Sequence, residues 1–402
     1  MKILLTMNLP YTRSHGGTNR SNRCLCEGLA ARGHAVHVVA PALATPPNGS
    51  YEQFRAGLAA DGVAVSEHAG VASFSLGGVE VHAVADPARL RTHFAAHIAA
   101  FDPDWVLVSA EDPSQSLLEA AIELRRARTI YLAHTPQMFP FGPASLYPGP
   151  ARAELVRQAA GIVAISQFVA EYVKTWIGRD AFVNHPPHYG AGPFARLGRF
   201  DAGYALLMNA CAVKGLPIVL ELARALPDLP FAALPGYGTT SADRAALARL
   251  PNMTLLPNQP NLDAIFAQAR VLLMPSLWIE GFGMAAVDAM LRGIPVLASN
   301  CGGLPEAKLG TDFVLPVRPI ERFEDRLDEN LLPAPVVPPQ DVAPWRDALA
   351  RLLADRALYE RQSEAAYAAA GAFVAGLSVA PFERYLQSLG APQPARSAGP
   401  AQ

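Results

Sequence analysis

Lysine is nearly missing from this chain of 402 residues: it stands only at positions 2, 174, 214 and 308, and arginine carries almost all the positive charge. With 33 basic against 35 acidic side chains the net charge is −2, so there is no bulk positive field to hold nucleic acid. The basic residues near the first predicted helix, Arg13, Arg20, Arg23 and Arg32, read as a solvated helix face. Cysteine is scarce as well. Cys24 and Cys26 lie two apart, on different sides of a helix, and no His or Cys pair nearby completes a zinc site. Neither a disulfide framework nor a metal is expected. Long apolar runs are absent too, none approaching the roughly 18 residues needed to span a bilayer. The N-terminus reaches Asn8 and Pro10 too early for a signal-peptide core and reads as a first buried strand. These absences together predict a cytoplasmic protein with no membrane span and no nucleic-acid partner.

What is present is apolar matter, 51% of the chain, arranged in a repeating order. A length of 402 residues suits two domains. Runs rich in Val, Ile and Leu without polar alternation fall at 2–6, 35–40, 79–84, 105–109, 129–133, 162–165 and 181–184, with helical patterns between them. Such runs are strands buried on both faces, and their alternation with helices implies a doubly wound parallel sheet. Residues 41–78 break the rhythm with Pro41, Pro46, Pro47, Asn48 and Gly49, and read as a surface excursion. After the Pro/Gly-rich segment 186–193 the pattern restarts, with strands at 204–209, 230–234, 253–256, 271–274, 295–298 and 312–314. The expected organisation is an N-terminal Rossmann-like domain over 1–186 and a second over 200–372. A helix over 373–390 returns to the first domain, and a disordered tail covers 391–402. Two such sheets enclose a cleft at the carboxyl ends of their strands, where ligands bind in this architecture.

The residues that carry chemistry sit at those strand ends. The segment Glu280-Gly281-Phe282-Gly283-Met284 follows a buried strand and opens a helix that carries Asp288. Carboxylates suit vicinal sugar hydroxyls, which are paired donors, and the glycines are read as leaving room for a ligand against the backbone. Asn209 to Gly215 follows the first strand of the second domain and brings Lys214. Gly16 and Gly17 follow the first strand of the chain, but their spacing is not the dinucleotide fingerprint, which disfavours a nicotinamide enzyme. His134 directly follows the strand at 129–133, and Phe139 to Pro143 reads as a rigid loop beyond it. Gly236 and Gln259 follow two further strands, at their carboxyl ends. Asp102-Pro103-Asp104 has the spacing of a metal-binding acidic pair, but it precedes its strand and reads as a turn.

At this point the chain resembles the family-4 retaining glycosyltransferases of the GT-B fold, an α/β architecture of two facing Rossmann-like domains. That family carries a Glu, seven residues and a second Glu within a Glu-Gly-Phe-Gly segment; here Glu280 is the first acid and Asp288 stands in for the second. Gly302-Gly303-Leu304-Pro305-Glu306 looks like the family's next glycine turn, and Lys214-Gly215 like the end of its phosphate-binding turn, without the Arg that normally precedes it. The resemblance implies retaining, metal-independent transfer from a nucleotide-diphosphate sugar, UDP-hexose favoured and GDP next, to a small-molecule acceptor. Glu280, His134 and Lys214 would be catalytic. Gly16, Gly17, Asn209, Gly236, Gln259, Gly281, Phe282, Gly283, Met284 and Asp288 would bind the donor. No cofactor beyond the nucleotide sugar is implied. A nucleotide-sugar hydrolase or epimerase, or a non-catalytic binding module, remains open, and the sequence sets no oligomeric state.

Overall fold

The computed structural model describes residues 1–12, 16–44, 49–125, 128–190, 192–259 and 261–390. The expected disordered tail, and Arg13 among the basic cluster, lie outside the described residues.

The first domain opens with β1 (Lys2–Thr6), α1 (Gly17–Ala31), β2 (Ala35–Pro41), α2 (Tyr51–Ala60), β3 (Ser66–His68), β4 (Val71–Leu76) and β5 (Val79–Val84). It continues with α3 (Leu90–Phe101), β6 (Trp105–Ser109), α4 (Ser116–Arg125), β7 (Thr129–Ala133), α5 (Pro150–Gln158), β8 (Gly161–Ala164), α6 (Gln167–Ile177) and β9 (Phe182–Val183). Its strands form one nine-stranded sheet in the order β3-β4-β5-β2-β1-β6-β7-β8-β9. Successive residues of β1 enter different cores: Leu4 joins one, Ile3 and Leu5 the other. That is why the strand carries no polar alternation.

The stretch expected to be a surface excursion instead builds structure. Ser50 caps α2 by accepting from the Gln53 amide, and Gln53 returns the bond to Ser50. Strands β4 and β5 pair antiparallel through a turn at Gly77-Gly78, both with positive φ, and so widen the sheet.

The second domain runs β10 (Tyr204–Met208), α7 (Leu216–Ala225), β11 (Phe231–Leu234), α8 (Ser241–Ala248), β12 (Met253–Leu255), α9 (Leu262–Phe266), β13 (Ala269–Met274) and α10 (Met284–Met290). Then come β14 (Val296–Ser299), α11 (Leu304–Ala307), β15 (Val314–Leu315), the ribbon β16 (Phe323–Leu327) and β17 (Pro333–Pro335), α12 (Ala343–Ala354), α13 (Arg356–Ala375) and α14 (Ala380–Gly390). Six strands form a parallel sheet in the order β12-β11-β10-β13-β14-β15. The strand order turns back at β10 and β13, and the ends of those two strands face the cleft.

α14 sits on the first domain. Phe382 and Leu386 are fully buried in the core that holds Ile3, Leu5 and Val163, each worth about 1.5–3 kcal/mol of apolar burial. Glu383 meets Arg32 and, at 2.9 Å, His34, so Arg32 is a docking contact and not merely a solvated charge. The stretch Arg356–Gly390 contains one window long and apolar enough, by length and composition, to cross a membrane, against the expectation of none. In the fold its helices pack on both domains through Tyr359, Ala366 and Ala370 on one side of the break and Phe382 and Leu386 on the other.

Candidate active site

Strand β13 ends at Met274, and the loop after it carries Glu280 back over the end of β10. There Lys214 Nζ donates to Glu280 Oε1 at 2.6 Å, and the Ser276 hydroxyl donates to the same oxygen at 2.6 Å. Burial by itself would lift the Glu280 carboxyl, but the ammonium beside it holds the group below the usual carboxylate range. Burial likewise opposes the Lys214 charge, and Glu280 overcomes it to raise the ammonium pKa. The Lys214 ammonium also lies 4.5 Å from the Trp278 ring centroid. The structure therefore brings together, at one strand-end pair, the two charged residues singled out from sequence.

The opposite wall is made by the first domain. His134 ends β7, is 7% exposed, and its Nδ1 lies 3.1 Å from the Leu132 carbonyl. A carbonyl only accepts, so Nδ1 carries the proton. Burial lowers the imidazole pKa to about 4, which keeps the ring neutral and leaves Nε2 an acceptor. Glu111, at the end of the neighbouring β6, accepts from the Thr18 hydroxyl at 3.0 Å, and burial raises its carboxyl pKa. The sequence reading missed Glu111; the signal that could have found it is its place just past a buried strand, as for His134.

The glycines serve a different purpose from the one expected. A Cβ on Gly281 would collide with the His134 carbonyl, and one on Gly17 with the Met284 side chain. At Gly283, φ is 112° and a Cβ would stand 2.5 Å from Leu304 Cδ2. A Cβ on Gly303 would stand 2.6 Å from the Gly281 carbonyl, and the Gly303 amide donates to the Glu280 carbonyl at 2.8 Å. The first two contacts cross between the domains and the last two lie within the second, so these positions make room for protein against protein on both sides of the Glu280 loop. Gly16 differs: φ is 97°, with nothing within 4 Å of a Cβ there.

Other contacts tie the walls together. Gln137 Nε2 donates to the Ile279 carbonyl at 3.0 Å, and the Ser166 hydroxyl donates to the Gly281 carbonyl at 2.5 Å. Glu306, in the glycine turn, accepts from the Gln167 and Phe168 amides at 3.0 and 3.1 Å and pairs with His185 at 2.7 Å. It caps α6 of the other domain. Phe282 is 2% exposed with its ring against His185 and Phe373, so its side chain is core and faces no ligand. Asp288 is also buried, facing Arg20 of α1 at 3.4 Å and Arg292 at 3.7 Å. Arg20 further donates to the His188 carbonyl, so it too leaves the solvated face assigned to it. Asn209, at φ 55°, turns its amide towards the Gly236–Gly238 turn, with Oδ1 3.5 Å from the Gly238 amide. Gln259 lies half-buried in the loop after β12. The aromatic loop packs inward: Phe139 and Phe141 are buried, stack on each other and meet the Tyr172 ring at a tilt, and do not line an open acceptor face. Asp102 and Asp104 take separate partners, Arg125 and the Lys2 amide.

Two family models match the chain with this geometry: Glycosyltransferase Family 4 over residues 15–185 and Glycosyl transferases group 1 over residues 212–335. The chain belongs to the group 1, family 4 glycosyltransferases. Among curated relatives, D-inositol 3-phosphate glycosyltransferase of Mycolicibacterium paratuberculosis is 34% identical over 151 residues, 35% of this chain and 30% of that protein. MMP alpha-(1->4)-mannosyltransferase of Mycolicibacterium hassiacum is 51% identical over 45 residues, 11% of each chain. The matched segments thus span a third or less of these relatives' length. Solved structures share the whole fold. Sucrose-phosphate synthase from Thermosynechococcus elongatus superimposes with a TM-score of 0.70 at 17% identity, covering 97% of this chain and 99% of that one. Anabaena HepE in complex with UDP and glucose gives 0.65 at 16%, covering 97% and 100%. The family-4 glycosyltransferase fold is therefore a GT-B fold of two facing domains in this chain.

Proposed function

We propose that the protein transfers a glycosyl group from a nucleotide-diphosphate sugar to a small-molecule acceptor, with retention and without a metal ion at the reacting centre. The observation that carries this reading is the half-buried Lys214–Glu280 pair at the ends of β10 and β13, with the His134 backbone of the other domain packed against the adjoining Gly281. As the sugar–phosphate bond breaks, negative charge grows on the departing diphosphate and positive charge on the sugar ring. Fixed groups aimed at those charges lower the barrier. Lys214 is the cation for the diphosphate; a phosphate oxygen reaching it would share the ammonium that Glu280 now holds. Glu280, kept ionised, then accepts from sugar hydroxyls and faces the developing ring charge. Neutral His134 offers Nε2 to a further hydroxyl. Asp288 is already occupied by two arginines, so a ribose contact would have to compete with Arg20. Among the described residues none stands out as a nucleophile, which favours departure and attack on one face of the sugar.

UDP is favoured as the nucleotide, because HepE was solved with UDP and glucose; GDP is the second candidate. A thermal-shift panel of UDP- and GDP-sugars tests the donor, since stabilisation follows occupancy. Incubation of the stabilising donor with and without acceptors then separates the reactions. Glycosylated acceptor of retained configuration supports the proposal. Free sugar or an epimerised donor in place of transfer would select the hydrolase or epimerase reading, and binding without turnover a binding module.

A further inference from the structure

Away from the cleft, under α3, four histidines from three elements converge. His37 lies on β2 and His82 on the adjacent β5, where the ladder pairs His37 with Glu80 and Val39 with His82. The period of two puts His37 and His82 on the same face of the sheet. His93 and His97 stand four residues apart on α3, which packs on that face, so their rings share one side of the helix. His37 Nδ1 lies 3.0 Å from His97 Nε2, and the His82 and His97 ring centroids are 4.1 Å apart. One ring nitrogen from each of His37, His82 and His97 lies within 4.8 Å of the others.

We propose that His37, His82 and His97 form a binding site for a divalent transition-metal ion of the zinc type, with His93 or water as the fourth ligand. Among the described residues this is the one group of three or more side chains with metal-ligand spacing. Four arguments support it. First, tetrahedral Zn–N bonds of about 2.0–2.1 Å put ligand nitrogens about 3.3 Å apart, and here they already lie within 4.8 Å of one another, so they need draw in by at most about 1.5 Å. Second, two ring nitrogens are buried without a hydrogen-bond partner, Nε2 of His82 and Nε2 of His93, and such atoms are costly unless something binds them. Third, His82 Nδ1 meets the Ser73 hydroxyl at 3.1 Å, an outer contact of the kind that orients a ligating imidazole and leaves Nε2 free. Fourth, an all-imidazole donor set selects zinc, cobalt, nickel or copper over magnesium or calcium.

The surroundings also keep the rings neutral, as ligation requires. Burial lowers His37, His82 and His97 to about 4, with Lys2 adding to the effect at His37; burial and then Arg89 lower His93. His37 stacks on Phe101 at 3.7 Å, and Lys2 Nζ donates to the Phe101 carbonyl, which fixes the outer wall. Glu80, beside His37 in the ladder, is the carboxylate nearest in register. A bound ion would clamp α3 to β2 and β5. The site is separate from the transfer reaction, which the preceding reading assigns to metal-free groups.

The test uses untagged, metal-stripped, full-length protein titrated with Co2+ and followed by visible absorption. The expected result is one Co2+ per chain with the intense bands of four-coordinate cobalt, displaced by Zn2+, and a melting temperature raised by Zn2+. His97→Gln should abolish the bands, whereas His68→Gln, at an exposed histidine elsewhere, should leave them. Where His97→Gln does not fold, X-ray absorption of zinc-loaded wild-type protein decides instead, with three or more imidazole nitrogens at about 2.0 Å expected. Absence of stoichiometric binding, persistence of the bands in a folded His97→Gln protein, or sulfur in the zinc shell would overturn the proposal.

Discussion

Two carboxylates eight residues apart in the second domain, the half-buried Glu280 and the buried Asp288, both lie beside cations, yet they are held in opposite ways. Glu280 has an ammonium at 2.6 Å, which overrides burial and keeps the carboxyl below its usual range. Asp288 has two guanidinium groups, but at 3.4 and 3.7 Å, and burial wins: its carboxyl is raised. Short, direct contact decides the sign, not the number of nearby charges. The partners differ as well. Lys214 belongs to the same domain as Glu280, whereas Arg20 reaches Asp288 from the other domain. The first pair is a site within one wall, and the second is a tie between walls.

Breaking the first pair should have the largest effect. Glu280→Gln leaves Lys214 without its counter-ion and should cost about 3 kcal/mol in urea denaturation, while lowering turnover by about 10^2- to 10^3-fold. Nucleotide affinity should fall far less. Turnover within a few-fold of wild type would remove Glu280 from the mechanism.

Next in size, Gly281→Ala would drive a Cβ into the His134 carbonyl and push the walls apart, with about 10^2-fold loss of turnover expected from the displaced His134. The substitution adds one methyl group and no charge, so wild-type kinetics would show that the walls need not meet for catalysis.

The pH dependence of stability gives a third, smaller effect. Burial lowers His134 and the three metal-site histidines to about 4, and His188 to about 3, each from an ordinary value near 6.5. The unfolded chain therefore binds more protons than the native one in this window. Stability should fall as pH drops from about 6.5 to about 4, and urea midpoints at pH 7.5, 6 and 5 measure it. A flat profile over that range would mean these rings are not held neutral.

The smallest effect is expected for Arg20→Ala, because Asp288 retains Arg292. About 1 kcal/mol or less of stability should be lost. Any kinetic effect should appear in KM before kcat if the contact only holds the walls together.

How much of this was legible in the residues follows from where the information lies. Strands buried on both faces, such as Trp105–Ser109 and Thr129–Ala133, announce themselves as unbroken apolar runs, and the strand-end positions of Glu280, Lys214 and His134 follow from them. The segment 41–78 does lie largely exposed over α2 and β3, but two local signals in it set structure that its prolines mask. One is the Ser50–Gln53 capping box; the other is the Gly77-Gly78 hairpin turn. The glycines of the Glu280 loop were readable as close approach, but what approaches is His134 of the other domain at Gly281 and Leu304 of the same domain at Gly283, facts no local pattern carries. The same limit hid Arg20–Asp288, Glu306–His185 and the histidine group, whose members lie 4 to 60 residues apart in the chain.

In the proposed reaction Lys214 carries the diphosphate's charge without help from an ion. Calorimetric titration of UDP and GDP into wild-type and Lys214→Gln protein, each with and without a chelator, measures this contribution. Binding should be unchanged by the chelator and should fall about 10- to 100-fold in Lys214→Gln, the worth of a charge-assisted contact to phosphate. Affinity untouched by the substitution, or abolished by the chelator, would contradict it.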